Sequence, residues 1–142
     1  MRLVLAAGVA AICMFTTVAA QQTSNSGTSE EKPYHVEDGK VDKSTYNGYR
    51  RYGDSCLRCH GPDGLGSSYA PNLVESLKRL SQDQFNEIVI NGKNEVSTSQ
   101  QLVMPSFGMV EDVVLYLGDI YAYLKARSDG ALGRGRPRRL DN

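Results

Sequence analysis

The sequence predicts an all-α fold, and three observations carry that prediction. Asp42 to Ser55 has tyrosines at helical spacing, and Glu111 to Arg127 has a broad apolar stripe. Ser81 followed by Gln84 is a capping-box pattern, which marks the start of another helix. The alternation of apolar and polar residues that marks a half-buried strand is almost absent from the chain.

Residues 1–20 are predicted to be a secretory signal peptide and not part of the fold. Arg2 precedes an almost charge-free apolar run that ends in small residues at Ala20, and Gln21 opens a polar segment. An uncleaved membrane anchor is the alternative, because about 20 predominantly apolar residues span a bilayer. We expect cleavage near Ala20, export to the periplasm and no membrane span in the mature chain.

The rest of the chain is predicted to hold one helical domain between two polar segments. Residues 21–41 form a flexible leader, which is rich in Ser, Thr, Asn and Gly at first and irregular after Pro33. The domain covers residues 42–127. Residues 128–142 form a tail rich in Gly and Arg.

Charge divides the chain into an acidic body and a basic tail, although the total is zero. The net charge is −4 from Glu30 to Ala126 and +3 from Arg127 to Asn142. The basic residues form no face studded with aromatics, so nothing indicates a nucleic-acid partner. We expect the tail to be mobile, either as a docking arm or as a strap over the acidic body and outside the cofactor pocket. A frayed, solvated terminus is the alternative.

The elements of the domain follow in order. Tyr46, Tyr49 and Tyr52 lie on one side of the first helix, and Gly61 to Ser68 is a Gly-rich loop. The helix that begins after Ser81 carries Phe85, Ile88 and Val89 at helical spacing and ends at Gly92, whereas Lys93 to Gln101 is polar and loop-like. The last helix has a stripe made by Val113, Val114, Leu117, Ile120, Tyr121 and Leu124.

One motif carries the chemistry of the chain. Cys56-Leu57-Arg58-Cys59-His60 is a C-x-x-C-H run, the attachment pattern for c-type haem. Two thiols one helical turn apart can each add to a vinyl group on one edge of a porphyrin. The adjacent His60 then supplies the proximal nitrogen ligand of the iron. The motif predicts one covalent haem c.

Three other sites could use the same cysteines. A thioredoxin-like redox pair needs a βαβ context, which the sequence does not show. A structural zinc site needs two more Cys or His at ligand spacing, and after export only His35 remains besides His60. A disulfide within C-x-x-C would leave His60 without a role. We therefore favour haem.

The sixth position of the iron has two methionine candidates in the exported chain. Met104 precedes Pro105 in a loop, and proline stiffens a loop that presents the sulfur. Met109 lies at the start of an amphipathic stretch, where packing in the core is enough to account for a methionine. We therefore predict Met104 as the distal ligand and regard His35, in the polar leader, as a surface residue.

Several of these residues occur in an order that resembles the monohaem class I cytochrome c fold, over roughly Asp42 to Arg127. They are Gly48, Tyr52, the C-x-x-C-H run, Pro71-Asn72-Leu73, Met104-Pro105, Ile120 and Tyr123. The resemblance implies that Gly48 lets the first helix cross the last one closely, with Tyr52 packed at the crossing. It also favours Pro71 as a cofactor-binding residue, whose nearby carbonyl accepts the Nδ1 proton of His60 and raises its basicity. A plain loop proline is the alternative.

Three runs further resemble the methanol-metabolism-related c-type cytochromes, which are similar to cytochrome c-L: KVDKSTYNGYRRYGDSCLRCHGPDGLGSSYAPNL, MPSFG and DIYAYLKARSDGALGRGRPRR. This resemblance implies a quinone (PQQ)-dependent alcohol or methanol dehydrogenase as electron donor. The acceptor would be another cytochrome or an oxidase.

The predicted function is electron transfer and not catalysis, because His60 and Met104 together would leave no open position on the iron. A haem enzyme or gas sensor with an open sixth site is the alternative from another class. A third possibility is a cytochrome subunit of a larger oxidoreductase.

Overall fold

The computed structural model describes residues 31–96 and 101–140, so the predicted signal peptide and the first part of the leader lie outside the described residues. The described chain is mainly helical, which confirms the predicted class. Its helices are α1 (Lys43–Ser55), α2 (Leu57–His60), α3 (Leu73–Ser76), α4 (Gln82–Asn91), α5 (Glu111–Leu115) and α6 (Leu117–Ser128).

Two small sheets accompany the helices and were not predicted. Strands β1 (Val36–Glu37), β2 (Lys40–Val41) and β5 (Arg138–Arg139) form one sheet in the order β1-β2-β5, with β1 and β2 antiparallel and β5 parallel to β2. Strands β3 (Lys93–Val96) and β4 (Gln101–Met104) form an antiparallel hairpin. The predicted polar loop after Gly92 therefore contains paired strands.

Helix α1 begins one residue after the predicted start, and Asp42 is its N-cap. The carboxylate of Asp42 accepts a hydrogen bond from the backbone N–H of Thr45 at 3.3 Å and from the Thr45 hydroxyl at 2.5 Å. It also accepts the N–H of His35 at 3.0 Å, which ties the preceding segment to the helix. The carboxylate therefore both starts α1 and fixes the chain that enters it.

Helices α1 and α6 cross at Gly48, as predicted. A β-carbon on Gly48 would lie 1.8 Å from the backbone oxygen of Asp119, so only glycine permits this approach. Tyr52 and Tyr123, both buried, pack beside the crossing with ring centroids 5.5 Å apart. Ile120 is buried in the same core. The crossing therefore lies within the buried core.

Helix α4 has the predicted ends. The Ser81 hydroxyl accepts the N–H of Gln84 at 3.2 Å, and the Gln84 side chain accepts the N–H of Ser81 at 3.0 Å, which completes a capping box. Gly92 ends the helix with φ +77. Phe85 and Val89 face the core, and Phe85 packs against Tyr121 at 5.4 Å. The apolar spacing in this segment thus predicted the correct face.

The last helix differs from the prediction because it is broken at Tyr116. That residue has φ −111 and ψ 22, and it separates α5 from α6. The break turns the side chain of Val114 outward, 43% exposed, while Val113 stays buried. Met109, for which a core role was predicted, is 97% exposed. The buried apolar face therefore runs from Val113 to Leu124. Neither Val114 nor Met109 belongs to it.

Parts of the predicted flexible leader and of the predicted mobile tail are packed on the domain. Tyr34 and Val41 of the leader are buried, and the Tyr34 hydroxyl donates to Asp129 at 2.9 Å. In the tail, Leu132 is buried and the Leu140 N–H donates to the carbonyl of Val41 at 2.8 Å. These contacts join segments about a hundred residues apart, which local composition does not reveal. Over the described ranges, no helix is both long enough and apolar enough to cross a bilayer.

Candidate cofactor site

An open cleft lies between α2, the segment that carries Pro71 and strand β4, and its empty space, including the part open to solvent, is about 860 Å³. Cys56, Cys59, His60, Pro71 and Met104, the five predicted site residues, all line it. Its walls are mainly apolar and are completed by side chains that include Leu73, Leu80, Ile88, Leu102 and Phe107.

The two thiols are placed by the short helix α2. Cys56 is the residue between α1 and α2, and Cys59 lies within α2, so they are separated by about one helical turn. Both thiols are free; Cys56 is half-buried and Cys59 is exposed. Burial, and then the neighbouring Cys59, raise the pKa of the Cys56 thiol to about 12.

His60 is the last residue of α2 and is only 6% exposed. Its Nδ1 lies 3.0 Å from the carbonyl oxygen of Pro71. Burial lowers the pKa of His60 below its ordinary value, and the bond to Pro71 offsets part of that effect. A neutral imidazole that donates from Nδ1 keeps the lone pair of Nε2 free for a metal ion. The geometry is therefore that of a metal-ligating histidine with an oriented ring.

The chain turns sharply after His60 through residues 60–66, which we call the attachment loop. The N–H of Gly66 donates to the carbonyl of His60 at 2.8 Å and closes the loop. The hydroxyl of Tyr52 donates to the carbonyl of Gly61, which joins the loop to α1. Gly61 and Gly66 have φ of +72 and +85, a region that favours glycine.

Two contributions of this loop were not foreseen from the sequence. One is the hydrogen bond that the Tyr52 hydroxyl makes, since only packing was expected of that ring. The other is the close approach of Gly66 to the segment that carries Pro71: a β-carbon there would lie 2.8 Å from the backbone nitrogen of Asn72. The spaced glycines of GPDGLG were the available signal for a tightly folded loop.

Met104 is half-buried and lies at the end of strand β4, opposite Lys93, and not in the predicted loop. The stretch after it is fastened to the end of α4: the N–H of Phe107 donates to the carbonyl of Val89 at 3.0 Å, and that of Gly108 donates to Ile90 at 3.1 Å. The strand and these bonds together hold the thioether at the cleft wall that Met104 lines.

The two other ligand candidates lie elsewhere. Met109 does not line the cleft. His35 is exposed, with its Nε2 3.8 Å from a carboxylate oxygen of Glu37, and it lines a separate polar groove with Asp42 and Arg139. Among residues 31–96 and 101–140, no group of three or more His, Cys, Asp or Glu side chains could hold a metal ion, so the zinc alternative finds no ligand set there.

The residues around the cleft fit a covalently bound haem. They supply two free thiols one turn apart, an oriented imidazole, a thioether and apolar walls in one cavity. A helical fold with one such site defines a monohaem c-type cytochrome. The chain belongs to this family: residues 44–124 match the family model described as cytochrome c oxidase, cbb3-type, subunit III. Membership of this family implies a covalently bound haem c.

Two relatives of known sequence are likewise named cytochromes c. The chain is 49% identical over 117 residues to cytochrome c-553I of Paracoccus denitrificans, a match covering 81% of this chain and 52% of the relative. It is 44% identical over 96 residues to cytochrome c-555 of Methylococcus capsulatus, covering 67% of this chain and 72% of the relative. The chain thus spans about half the length of the first relative.

A solved structure is similar over most of the described chain. It is the crystal structure of the c-type cytochrome XoxG from Methylobacterium extorquens AM1, with a TM-score of 0.68 and 50% sequence identity. The match covers 77% of this chain and 67% of that chain. At this identity, the likeness extends to the sequence as well as the fold.

Proposed function

We propose that Cys56 and Cys59 hold the haem through thioether bonds, that His60 and Met104 are its axial ligands, and that Pro71 orients His60. The observation that carries the proposal is the convergence of the two thiols, the imidazole and the thioether on one apolar cleft. If His60 and Met104 both bind the iron, it would have no open position for a substrate. This separates an electron carrier from a haem enzyme or gas sensor.

The haem iron supplies a one-electron Fe(III)/Fe(II) couple, and the chain supplies its surroundings. Met ligation and apolar walls favour Fe(II) and raise the reduction potential. Pro71 holds the His60 ring in one tautomer through the 3.0 Å bond. Strand β4 and the backbone hydrogen bonds of the residues that follow it hold Met104 in place. Because the folded chain would supply both ligands, electron transfer would require little rearrangement of the site.

The rim of the cleft is suited to a brief contact with a redox partner. Tyr69 and Val103 both line the cleft and are 74% and 59% exposed. Leu57, 43% exposed, precedes the second thiol by two residues. Small interfaces with a limited apolar centre are typical of transient electron-transfer complexes. We place the docking face here.

We further propose a periplasmic location and a quinone-dependent alcohol or methanol dehydrogenase as donor, with another cytochrome or an oxidase as acceptor. The resemblance of three sequence runs to the methanol-metabolism-related cytochromes supports the donor, and the apolar run before Gln21 supports the export. A cytochrome subunit of a larger oxidoreductase remains the alternative for the partner.

Rapid mixing tests the donor. The purified ferric protein is mixed with a quinone-dependent methanol dehydrogenase and its alcohol, and the rise of the ferrous haem bands is followed. Reduction at a rate that depends on the dehydrogenase concentration is expected. Reduction no faster than in the absence of the dehydrogenase would remove it as donor. A ferric spectrum without the weak band near the red end that marks Met ligation, together with ready CO binding, would instead indicate an open sixth site.

A further inference from the structure

The side chain of Asp63, at the tip of the attachment loop, is bound by the end of the chain. The N–H of Gly135 donates to its Oδ1 at 2.9 Å, and Nε of Arg134 lies 3.3 Å from Oδ2. A nitrogen of Arg127 lies 3.4 Å from Oδ1. The Asp63 side chain is 10% exposed and that of Arg127 is 3% exposed, so this ion pair is shielded from water.

The segment that holds Asp63 is itself fixed at several points. We call residues 132–140 the C-terminal strap. At its start, the buried Leu132 donates its N–H to the carbonyl of Ala126 at 3.1 Å. Further along, Arg136 donates to the hydroxyl of Tyr46 at 2.7 Å, and β5 pairs with β2. The strap is thus anchored to α6, α1 and the sheet, and it can restrain the loop that it touches.

The attachment loop contacts both partners of the hydrogen bond between His60 and Pro71, so a restraint on the loop also restrains them. Its two ends meet in the hydrogen bond between Gly66 and His60. Gly66 also packs on the peptide that joins Pro71 to Asn72, because a β-carbon there would lie 3.1 Å from the carbonyl carbon of Pro71. A shift of the loop therefore moves the ring or its acceptor.

We propose that Asp63 is a positioning residue for the proximal ligand: bound to the strap, it holds the attachment loop so that the Pro71 carbonyl stays on Nδ1 of His60. The inference rests on the proposed role of His60. A loosened bond makes the imidazole a less basic ligand, which favours Fe(II) and raises the reduction potential. The strap thereby sets the potential through geometry as well as charge.

Two variants distinguish an effect of loop geometry on the reduction potential from an effect of charge, because charge alone shifts their potentials in opposite directions. Asp63→Asn keeps a residue that tolerates positive φ and removes a negative charge, so charge alone raises the potential. Deletion of residues 134–142 removes four arginines and one aspartate, so charge alone lowers it. If the strap positions His60, the midpoint potential rises in both, and the g values of the ferric EPR spectrum shift in both.

A fall in the potential of the deletion variant, or no change in it, would overturn the positioning role. Where the deletion variant does not fold, Arg134→Gln serves instead, since it also removes a positive charge together with a contact to Asp63. Asp129→Asn is the matched control. It breaks bonds to Lys125 and Tyr34 away from the loop, so it should leave the EPR spectrum unchanged and shift the potential upward only as far as the loss of one negative charge does.

Acid-acetone extraction of the same samples tests the proposed haem-attachment site separately from the role of Asp63. Loss of haem from the wild-type protein on acid-acetone extraction would overturn the attachment site, and this inference with it. Covalent haem in the wild type, combined with a lowered or unchanged potential in the deletion variant, overturns the positioning role alone.

Discussion

Gly48 and the backbone carbonyl of Asp119 meet where the first and last helices cross. The 1.8 Å that would separate a β-carbon at position 48 from that oxygen is far below any real contact. Beside them, Asn47 donates to the Asp119 carboxylate at 2.7 Å. The crossing is thus held by backbone contact and by one polar bond, and it leaves no space for a side chain.

Substitution of Gly48 should therefore destabilise the protein even when the new side chain is small. Gly48→Ala is expected to cost about 1–3 kcal/mol, because the helices must separate to accept it. Gly53→Ala is the matched control in the same helix, where no atom lies within 4 Å of the new methyl group. It should stabilise α1 by about 0.5–1 kcal/mol. Urea unfolding of both variants measures the difference, and equal stabilities would contradict the crossing.

The double variant Cys56→Ala with Cys59→Ala should lose its haem on acid-acetone extraction, because the two thioether bonds would be absent. The wild-type protein should keep its haem in the same extraction. Denaturing gels stained for haem peroxidase activity give a second measurement. Haem that stays attached to the double variant would show that another residue holds it.

Replacement of Met104 should open the distal side of the haem. Met104→Ala is expected to become high-spin or to bind added imidazole, and its reduction potential should fall because the thioether that favours Fe(II) is lost. Met109→Ala is the control, since that side chain is 97% exposed and lies off the cleft. Absorption spectra of the ferric proteins measure the change. The opposite pattern would assign the ligand to Met109.

Asp42 should make the stability of the protein depend on pH below about 4. Burial raises the pKa of its carboxyl, but hydrogen bonds from Ser44, Thr45 and the His35 backbone outweigh that and hold the pKa below its ordinary value of 3.8. A pKa lower in the folded than in the unfolded state stabilises the fold above the ordinary value, and this stabilisation is lost as the pH falls through the folded pKa.

Asp42→Asn keeps a good N-cap without the charge. Its free energy of unfolding should therefore fall less than that of the wild type between pH 6 and pH 2.5, as followed by urea unfolding. Asp42→Ala also removes the cap and should cost about 0.5–2 kcal/mol at neutral pH. Parallel pH profiles for the wild type and Asp42→Asn would show that other carboxyl groups account for the acid sensitivity.

The elements that the sequence predicted are those whose signals are local. The start of α1 near Asp42, the capping box at Ser81 and the end of α4 at Gly92 each depend on residues within a few positions. The five site residues were located by a motif and a family order, and the structure brings them to one cleft. Their roles as ligands stay predictions.

The elements that were missed depend on distant partners or carry no pattern. Strands β2 and β5 are two residues long and pair across almost a hundred positions, so neither has a period to detect. All residues of β3 are exposed, which hides the alternation that predicts a strand. Tyr116, where the last helix breaks, is neither Gly nor Pro, so the sequence gives no local signal for the break.

The two proposed ligands are carried by parts of the chain that differ in local stability. His60 is buried and adjoins the helix crossing, whereas Met104 ends a hairpin whose first strand is fully exposed. Exposed backbone hydrogen bonds with few buried contacts open at a lower free energy than the core. We therefore expect amide hydrogens of the hairpin to exchange with solvent faster than those of α1 and α6. Through such openings Met104 would leave and return while the rest of the molecule stays folded.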